Sequence, residues 1–384
     1  MTKVKIETIT PVHIGTGDTK LPIFYMEDGE YMSFYDEQEV LSCVPDKVLL
    51  DKQFLDKLSN FSDKGARSGQ SPSKYLQNTL KRYVNFSNLK PRYQLNSDVD
   101  YYITENKKYN EQIKTLDKPY IPGSSLKGAI LNAVYYCFLL FKGKELSYKL
   151  SHIEKLSLES IMEALGIPTA FIKEFNSCLT VRDVPFNELR VMDAKRLDTR
   201  DEKKDLSDAL PLFECIDYGQ DTTDSYILIN QEKLNLIKGE DNDSEACKQL
   251  KNCLNYKMIR LACNRYMLDI LNEELNLDDN LDFYSKNNLR NALEGLKKNV
   301  ANKESNAFYL RIGSSTNYFS KTVSLLFKNK FPHEYDKRFN QSFSPSNRKN
   351  TRAKSDTLPK TRMLYLDEQV GNCYPGVIRI EYVD

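Results

Sequence analysis

Residues 3–10 alternate apolar and polar side chains, the period of a half-buried strand. Pro11 follows, and Val12-His-Ile-Gly-Thr-Gly-Asp18 predicts a strand running into a Gly-x-Gly turn at Gly15 and Gly17, where backbone can approach closely. Residues 24–34 predict a hairpin turning at Asp28-Gly29. From 38 to 83 the spacing is helical, interrupted by a loop over 64–72. Residues 101–104 predict a strand, and 147–176 are helical again, broken at Gly166-Ile-Pro168. A short strand follows within 178–186. Residues 190–204 predict a charged, solvated loop, and 213–218 with 225–230 a hairpin adding to one sheet. Residues 244–275 predict the longest helix, with Cys247, Leu250, Leu254, Met258, Leu261, Leu268 and Leu275 along one core stripe. A strand at 308–311, a small-residue loop from Gly313 and an apolar-faced helix with Lys321 in its first turn come next, and 374–383 close the chain as a strand.

The stretch from Pro119 to Phe141 organises these elements. Pro122 and Gly123 force a turn, and Ser124 or Ser125 is positioned to N-cap a helix. Ile130, Leu131, Val134, Cys137, Phe138 and Phe141 then recur at helical spacing. The first turn holds no Asp or Glu, but Lys127 and the glycines Gly123 and Gly128. That pattern fits a plain cap on a core helix, and it equally fits an electropositive helix end that holds a phosphate. It is not a Walker A loop, since no Gly-x-x-x-x-Gly-Lys-Ser/Thr run is present.

Composition narrows the classes. Across 384 residues the net charge is only +1, so a nucleic-acid surface has to come from local segregation of charge. Segregation is found at 337–362, where eight basic residues face the single acid Asp356 with Phe339 and Phe343 interleaved. Basic residues with aromatic spacing suit single-stranded nucleic acid, and they equally suit a solvated loop. Asp269, Glu273, Glu274, Asp278, Asp279 and Asp282 form an acidic run, read as a solvated helix end or a docking surface. The eight Cys show no Cys-x-x-Cys pair and there are three His, a pattern of reduced thiols in a cytoplasmic protein with no zinc site and no cofactor. The apolar run 129–141 contains Asn132 and is too short to span a bilayer, and no leader pattern opens the chain. His13, between Val12 and Ile14, fits a structural histidine or a general base, although no partner for catalysis lies nearby in sequence.

The block Ile121-Pro-Gly-Ser-Ser-Leu-Lys-Gly-Ala-Ile130, preceded by Thr10-Pro-Val-His-Ile-Gly-Thr-Gly17, resembles the RAMP superfamily of CRISPR effector proteins. Glu214-Cys-Ile-Asp217, Leu310-Arg-Ile-Gly313 continuing to Phe319-Ser-Lys-Thr322, and Pro359-Lys-Thr-Arg362 before Pro375-Gly376 narrow the likeness to head-capping subunits of type III-A (Csm) interference complexes. The resemblance implies an α+β fold with an RRM-like (ferredoxin-like) core and large helical insertions. We divide the chain accordingly into a core over 1–36 and 95–240, helical insertions at 37–94 and 241–300, and a C-terminal part of the core over 301–384 with the basic loop 337–362. It also implies a non-catalytic subunit that binds the 3′ region of the guide (cr)RNA, caps a filament of backbone subunits, contacts the small subunits and works alongside a separate trimming nuclease. Gly15, Gly17, Gly123, Ser124, Ser125, Lys127, Gly128, Gly313, Ser315 and Lys321, with Arg348, Lys349, Arg352 and Arg362 of the basic segment, are the expected RNA contacts. Two departures from the family pattern stand out. Further glycines are missing after Gly313, and residues 20–26 offer no Asp comparable to the target-cutting Asp of backbone subunits. The rival is a RAMP endoribonuclease using His13 as general base.

Overall fold

The computed structural model describes residues 1–20, 24–28, 31–59, 72–97, 108–150, 153, 157–199, 201–205, 210–237, 244–343, 361–367 and 371–383. Its organising element is a five-stranded antiparallel sheet. The strands are β1 (Thr2–Thr8), β2 (Leu179–Val181), β3 (Asp221–Ile229), β4 (Ala307–Arg311) and β5 (Val377–Val383), in the spatial order β4-β5-β1-β3-β2. Helix α1 (Gly123–Phe141) lies in the connection from β1 to β2, and helix α2 (Tyr256–Leu281) follows β3. Setting β4 aside as an added edge strand, this is the split β-α-β-β-α-β arrangement of ferredoxin-like, RRM-type domains. The predicted RRM-like α+β core is therefore present.

Alternation sets the inner face of β1: Val4, Ile6 and Thr8 are buried. Val4 and Ile6 join one core with Leu126, Ile130, Val134 and Phe138 of α1, Ile259, Tyr266 and Ile270 of α2, and Phe308, Leu310, Ile378 and Ile380 of the sheet. At 19 residues α1 is longer than the apolar run read from sequence, and by length and composition it meets the requirement for crossing a membrane. Here it is a core helix packed on α2 and β2.

A second sheet of nine strands runs from Gly15–Lys20 through Tyr109–Gln112, Leu212–Ile216, Leu189–Asp198, Tyr93–Ser97 and Tyr31–Phe34 to Tyr25–Asp28. Asp201–Asp205 and Thr361–Leu366 also pair with Leu189–Asp198. Several expectations are corrected by this sheet. The charged stretch after residue 189 is a long strand rather than a solvated loop, because its charges are paired. Arg190 bridges Asp217 at 3.2 Å and Asp367 at 2.8 Å. Leu212–Ile216 and β3 are not a hairpin but belong to different sheets. The chain turns between them at Gly219, whose φ is +75° and whose amide donates to the Thr8 carbonyl at 2.7 Å. Gly15–Lys20 is itself a strand with an irregular register, so Gly17 (φ +95°) sits in a bulge rather than a turn. Tyr25–Asp28 and Tyr31–Phe34 pair antiparallel as the hairpin reading expected, Tyr25 facing Phe34, while Gly29 of the expected turn lies outside the described residues.

The predicted helix over 244–275 is two helices, Glu245–Asn252 and α2. The Asn255 side chain caps the second by accepting from the Met258 amide at 2.9 Å. This break resets the helical phase. Met258 and Leu261 are exposed, and Ile259, Cys263, Tyr266 and Ile270 face the core instead. Of the basic segment, the described ends are a helix (Pro332–Phe343) and a strand (Thr361–Leu366) rather than a loop. Arg348, Lys349 and Arg352 lie outside the described residues, as do 101–104 and most of the loop 64–72.

Candidate nucleic-acid interface

Three segments far apart in sequence meet beside the first turns of α1. Gly313, with φ +99°, brings the loop after β4 onto the segment after β1, and the Ser314 amide donates to the His13 carbonyl at 2.9 Å. A Cβ on Gly313 would lie 2.4 Å from that same carbonyl oxygen, so only glycine permits the crossing. Gly376 makes the next crossing possible, its absent Cβ lying 2.1 Å from the Ile312 carbonyl oxygen.

The result is a cleft of about 440 Å³. Its walls are Ile14 and Gly15, the α1 face Ser125, Gly128, Ala129 and Asn132, and the loop residues Arg311 to Ser314 with Ser320 and Lys321. The α1 residues follow i, i+3, i+4, i+7 spacing and so share one face. Gly128 keeps that face open, since nothing lies within 4 Å of where its Cβ would be.

Among the described residues, two cations and no carboxylate line the cleft. Arg311 is buried, donating from Nε to the Pro375 carbonyl at 2.9 Å and from Nη1 to the Tyr374 hydroxyl, with its guanidinium carbon 3.5 Å from the Tyr374 ring centroid. Lys321 is exposed and donates weakly to the Ser314 carbonyl at 3.3 Å. Partial burial, and then the charge of Arg311, hold its ammonium below the ordinary lysine value. An anion between the two cations relieves that repulsion.

Five expected residues therefore meet in the cleft: Gly15, Ser125, Gly128, Gly313 and Lys321. The other described ones do not line it. Gly123 starts α1, with Pro122 as cap and no side-chain cap bond, so neither Ser124 nor Ser125 is the N-cap. The Gly123 amide donates instead to Asp183 Oδ1 at 2.7 Å. The helix end already carries an anion, and it comes from the turn after β2 rather than from a ligand. A Cβ on Gly123 would sit 2.0 Å from the Val181 carbonyl oxygen, which gives that glycine a packing role. Ser124 and Lys127 are not among the cleft residues, and Gly17 is exposed on the strand bulge.

Ser315 and Arg362 are buried within the fold. Ser315 is buried, accepting from the Tyr365 hydroxyl. Arg362 is buried against Glu274, Nε to Oε2 2.7 Å, so its charge is spent inside the fold. The acidic run is likewise neither solvated nor a docking surface at its centre. Glu274 and Asp278 are buried, and Arg362 holds the Glu274 carboxyl below its ordinary range against the cost of burial. Asp278 accepts from the Ser285 amide at 2.8 Å and pairs with Arg290 at 2.6 Å.

His13 is structural in its geometry. It is buried, its Nδ1 donates to the Glu214 carbonyl at 2.7 Å, and its ring meets Phe213 edge-on. Because that carbonyl can only accept, Nδ1 carries the proton. Burial pushes the imidazole down to about 4, so it is neutral at physiological pH and a weak base there. Behind it, Gln112 accepts from the Ile14 amide at 2.7 Å, and Lys114 joins Glu214 at 2.8 Å, which fixes the wall of the cleft made by Ile14 and Gly15.

Arg311 and Asn132 line the cleft without having been expected there. Only the α1 spacing from Ser125 to Asn132 offered a signal for one of them.

The family model of the RAMP superfamily matches residues 5–350. The chain belongs to the RAMP superfamily. Among RAMP relatives it is similar to the CRISPR system Cms protein Csm5 of Methanocaldococcus jannaschii, 25% identical over 419 residues covering 100% of this chain and 89% of that protein. The RAMP fold is matched by a chain in the cryo-EM structure of a Csm-crRNA-target RNA ternary complex from a type III-A CRISPR-Cas system. There the TM-score is 0.67, with 18% identity over 99% of this chain and 100% of that one. The crystal structure of T. onnurineus Csm5 matches with a TM-score of 0.54 and 17% identity over 85% and 94% of the two chains.

Proposed function

We propose that this chain is the subunit of a type III-A CRISPR interference complex that holds the 3′ region of the guide RNA and caps the backbone filament without cutting RNA. Its partners in this reading are the guide, the backbone and small subunits of a cytoplasmic ribonucleoprotein, and a separate trimming nuclease. Whole-length similarity to Csm5 supports the subunit assignment. The observation that carries RNA binding is the cleft itself: among the described residues, two cations, no carboxylate, and glycine-opened backbone from two crossing loops. Backbone and 2′-hydroxyl contacts of this kind hold RNA without reading its sequence, as a guide subunit requires. Of the basic segment, Arg348, Lys349 and Arg352 remain proposed contacts, whereas Arg362 does not. A nuclease built on His13 faces a buried neutral imidazole whose Nδ1 is already bonded to a carbonyl.

The test incubates purified protein with end-labelled single-stranded guide RNA, with and without magnesium, following retention and chain length together. Intact, retained RNA whose affinity falls steeply with salt is the expected result. Shortened RNA, abolished in His13→Ala, overturns the non-cutting assignment.

A further inference from the structure

Glu274 is a buried, hydrogen-bonded carboxylate near the cleft, yet it does not line it. Lying on α2, it is 0% exposed. One oxygen accepts from the Asn317 side-chain amide, and the other accepts from the Tyr284 hydroxyl at 2.6 Å and from Arg362 Nε at 2.7 Å. Asn317 is the link to the cleft. Its own Oδ1 accepts from the amide and hydroxyl of Ser320 at 3.1 and 3.2 Å, and Ser320 is a cleft residue with Lys321 next to it. Thr316 Oγ1 donates to the Gly313 carbonyl at 2.8 Å, closing the loop on itself. A second tie from α2 lies alongside: Tyr266 donates to the Phe319 and Thr322 carbonyls, and Asn132 of the cleft donates to the Tyr266 hydroxyl at 2.8 Å.

The loop 312–321 has no regular secondary structure beyond the single 3-10 turn Tyr318–Ser320. Side chains from α2 reach its backbone alongside its backbone bonds to His13 and Gly376. A carboxylate that is buried and fully hydrogen-bonded has one arrangement, and displacing any partner leaves charge uncompensated. It therefore holds its partners to one geometry.

We propose that Glu274 is a positioning residue for the cleft: through Asn317 it fixes the loop carrying Ser320 and Lys321, and through Arg362 it ties that loop to the strand Thr361–Leu366. The proposal rests on the cleft being the RNA site for its functional consequence, but not for its structural one. Asn317→Ala cuts the link from Glu274 to the loop while leaving the Glu274–Arg362 and Glu274–Tyr284 contacts in place. In the full chain, hydrogen exchange of amides 314–321 accelerates in this variant, while β1, β3 and β5 keep their protection. Guide RNA affinity falls about tenfold, the scale of re-ordering a few residues on binding. The pair Glu274→Gln with Arg362→Met removes the charges and the tie to the strand while leaving the bonds of Asn317 to Ser320 in place, and it too accelerates exchange over 314–321 and weakens guide RNA binding. Unchanged exchange over 314–321 in Asn317→Ala overturns the proposal, as does full loop protection in the double variant, which leaves the loop held by the bonds of Asn317 to Ser320 alone. If exchange changes as expected but the wild-type chain binds no RNA, the positioning role stands and the RNA reading fails.

Discussion

Two strand–loop–helix junctions look alike in sequence, and the structure gives them different work. At Pro119 to Ile130 the helix begins on a glycine, but its leading amide is already bonded to Asp183, and its lysine does not line the cleft. At Ala307 to Lys321 the helix Ser324–Lys330 begins later, its N-terminus is not in the cleft, and Arg311 and Lys321 bring charge instead. The first junction contributes shape, through Ser125, Gly128 and Asn132, and the second contributes charge. A glycine-rich helix start is thus no guarantee of an anion site, because a carboxylate from elsewhere in the fold can occupy it first.

The largest expected effects separate the glycines. Gly313→Ala and Gly123→Ala each place a Cβ within 2.4 Å of a backbone carbonyl oxygen, and each lowers stability by about 3 kcal/mol in urea unfolding. Gly128→Ala, on an open helix face, leaves stability unchanged or raises it by about 0.5–1 kcal/mol. Equal losses at all three positions break the distinction between glycines that permit crossings and a glycine that opens the cleft.

His13 gives a pH signature of the loop crossing. Its value falls from 6.5 to about 4 on folding, so the unfolded chain binds the extra proton between those limits. Stability is full above about 6.5 and is lost as pH drops toward 4, by up to about 3 kcal/mol from this group. Urea midpoints measured from pH 7 to 4.5 show a flatter profile in His13→Gln. A profile of unchanged steepness contradicts the buried neutral assignment.

The lowered Lys321 value gives a second titration, with the opposite partner. Bound phosphate favours the charged ammonium, so RNA binding takes up a proton and affinity falls as pH rises through the lysine's depressed value. Calorimetry in buffers of different ionisation enthalpy reads that uptake, and Lys321→Met abolishes it. The smallest effect is at the first junction. Asp183→Asn keeps an acceptor for Gly123 but removes the charge, and it tightens RNA binding by at most about fivefold at low salt.

Much of the architecture was legible in sequence because periodicity reports burial directly: β1, the hairpin 25–34, α1 and the closing strand all carry it. What failed did so where partners came from afar. The charges of Leu189–Asp198 read as solvent-facing because Asp367 lies 177 residues beyond Arg190. Arg362 read as a phosphate ligand because Glu274, on another element, cannot be paired with it from local pattern. Asn255 looked like an interior helix residue, although its cap reset the phase of the whole α2 stripe. In the cleft, the glycines were visible as conformational exceptions, whereas Arg311 was not, since an arginine ending a strand has no distinguishing pattern.

The most direct test of the account compares the salt dependence of guide RNA binding for the wild type, Lys321→Met and Lys127→Met. Each lost phosphate contact on a single strand reduces the slope of log affinity against log salt by about 0.7. The account predicts that reduction for Lys321→Met and an unchanged slope for Lys127→Met. A reduced slope for Lys127→Met with Lys321→Met unchanged would move the RNA from the cleft to the outer face of α1 and contradict the central claim.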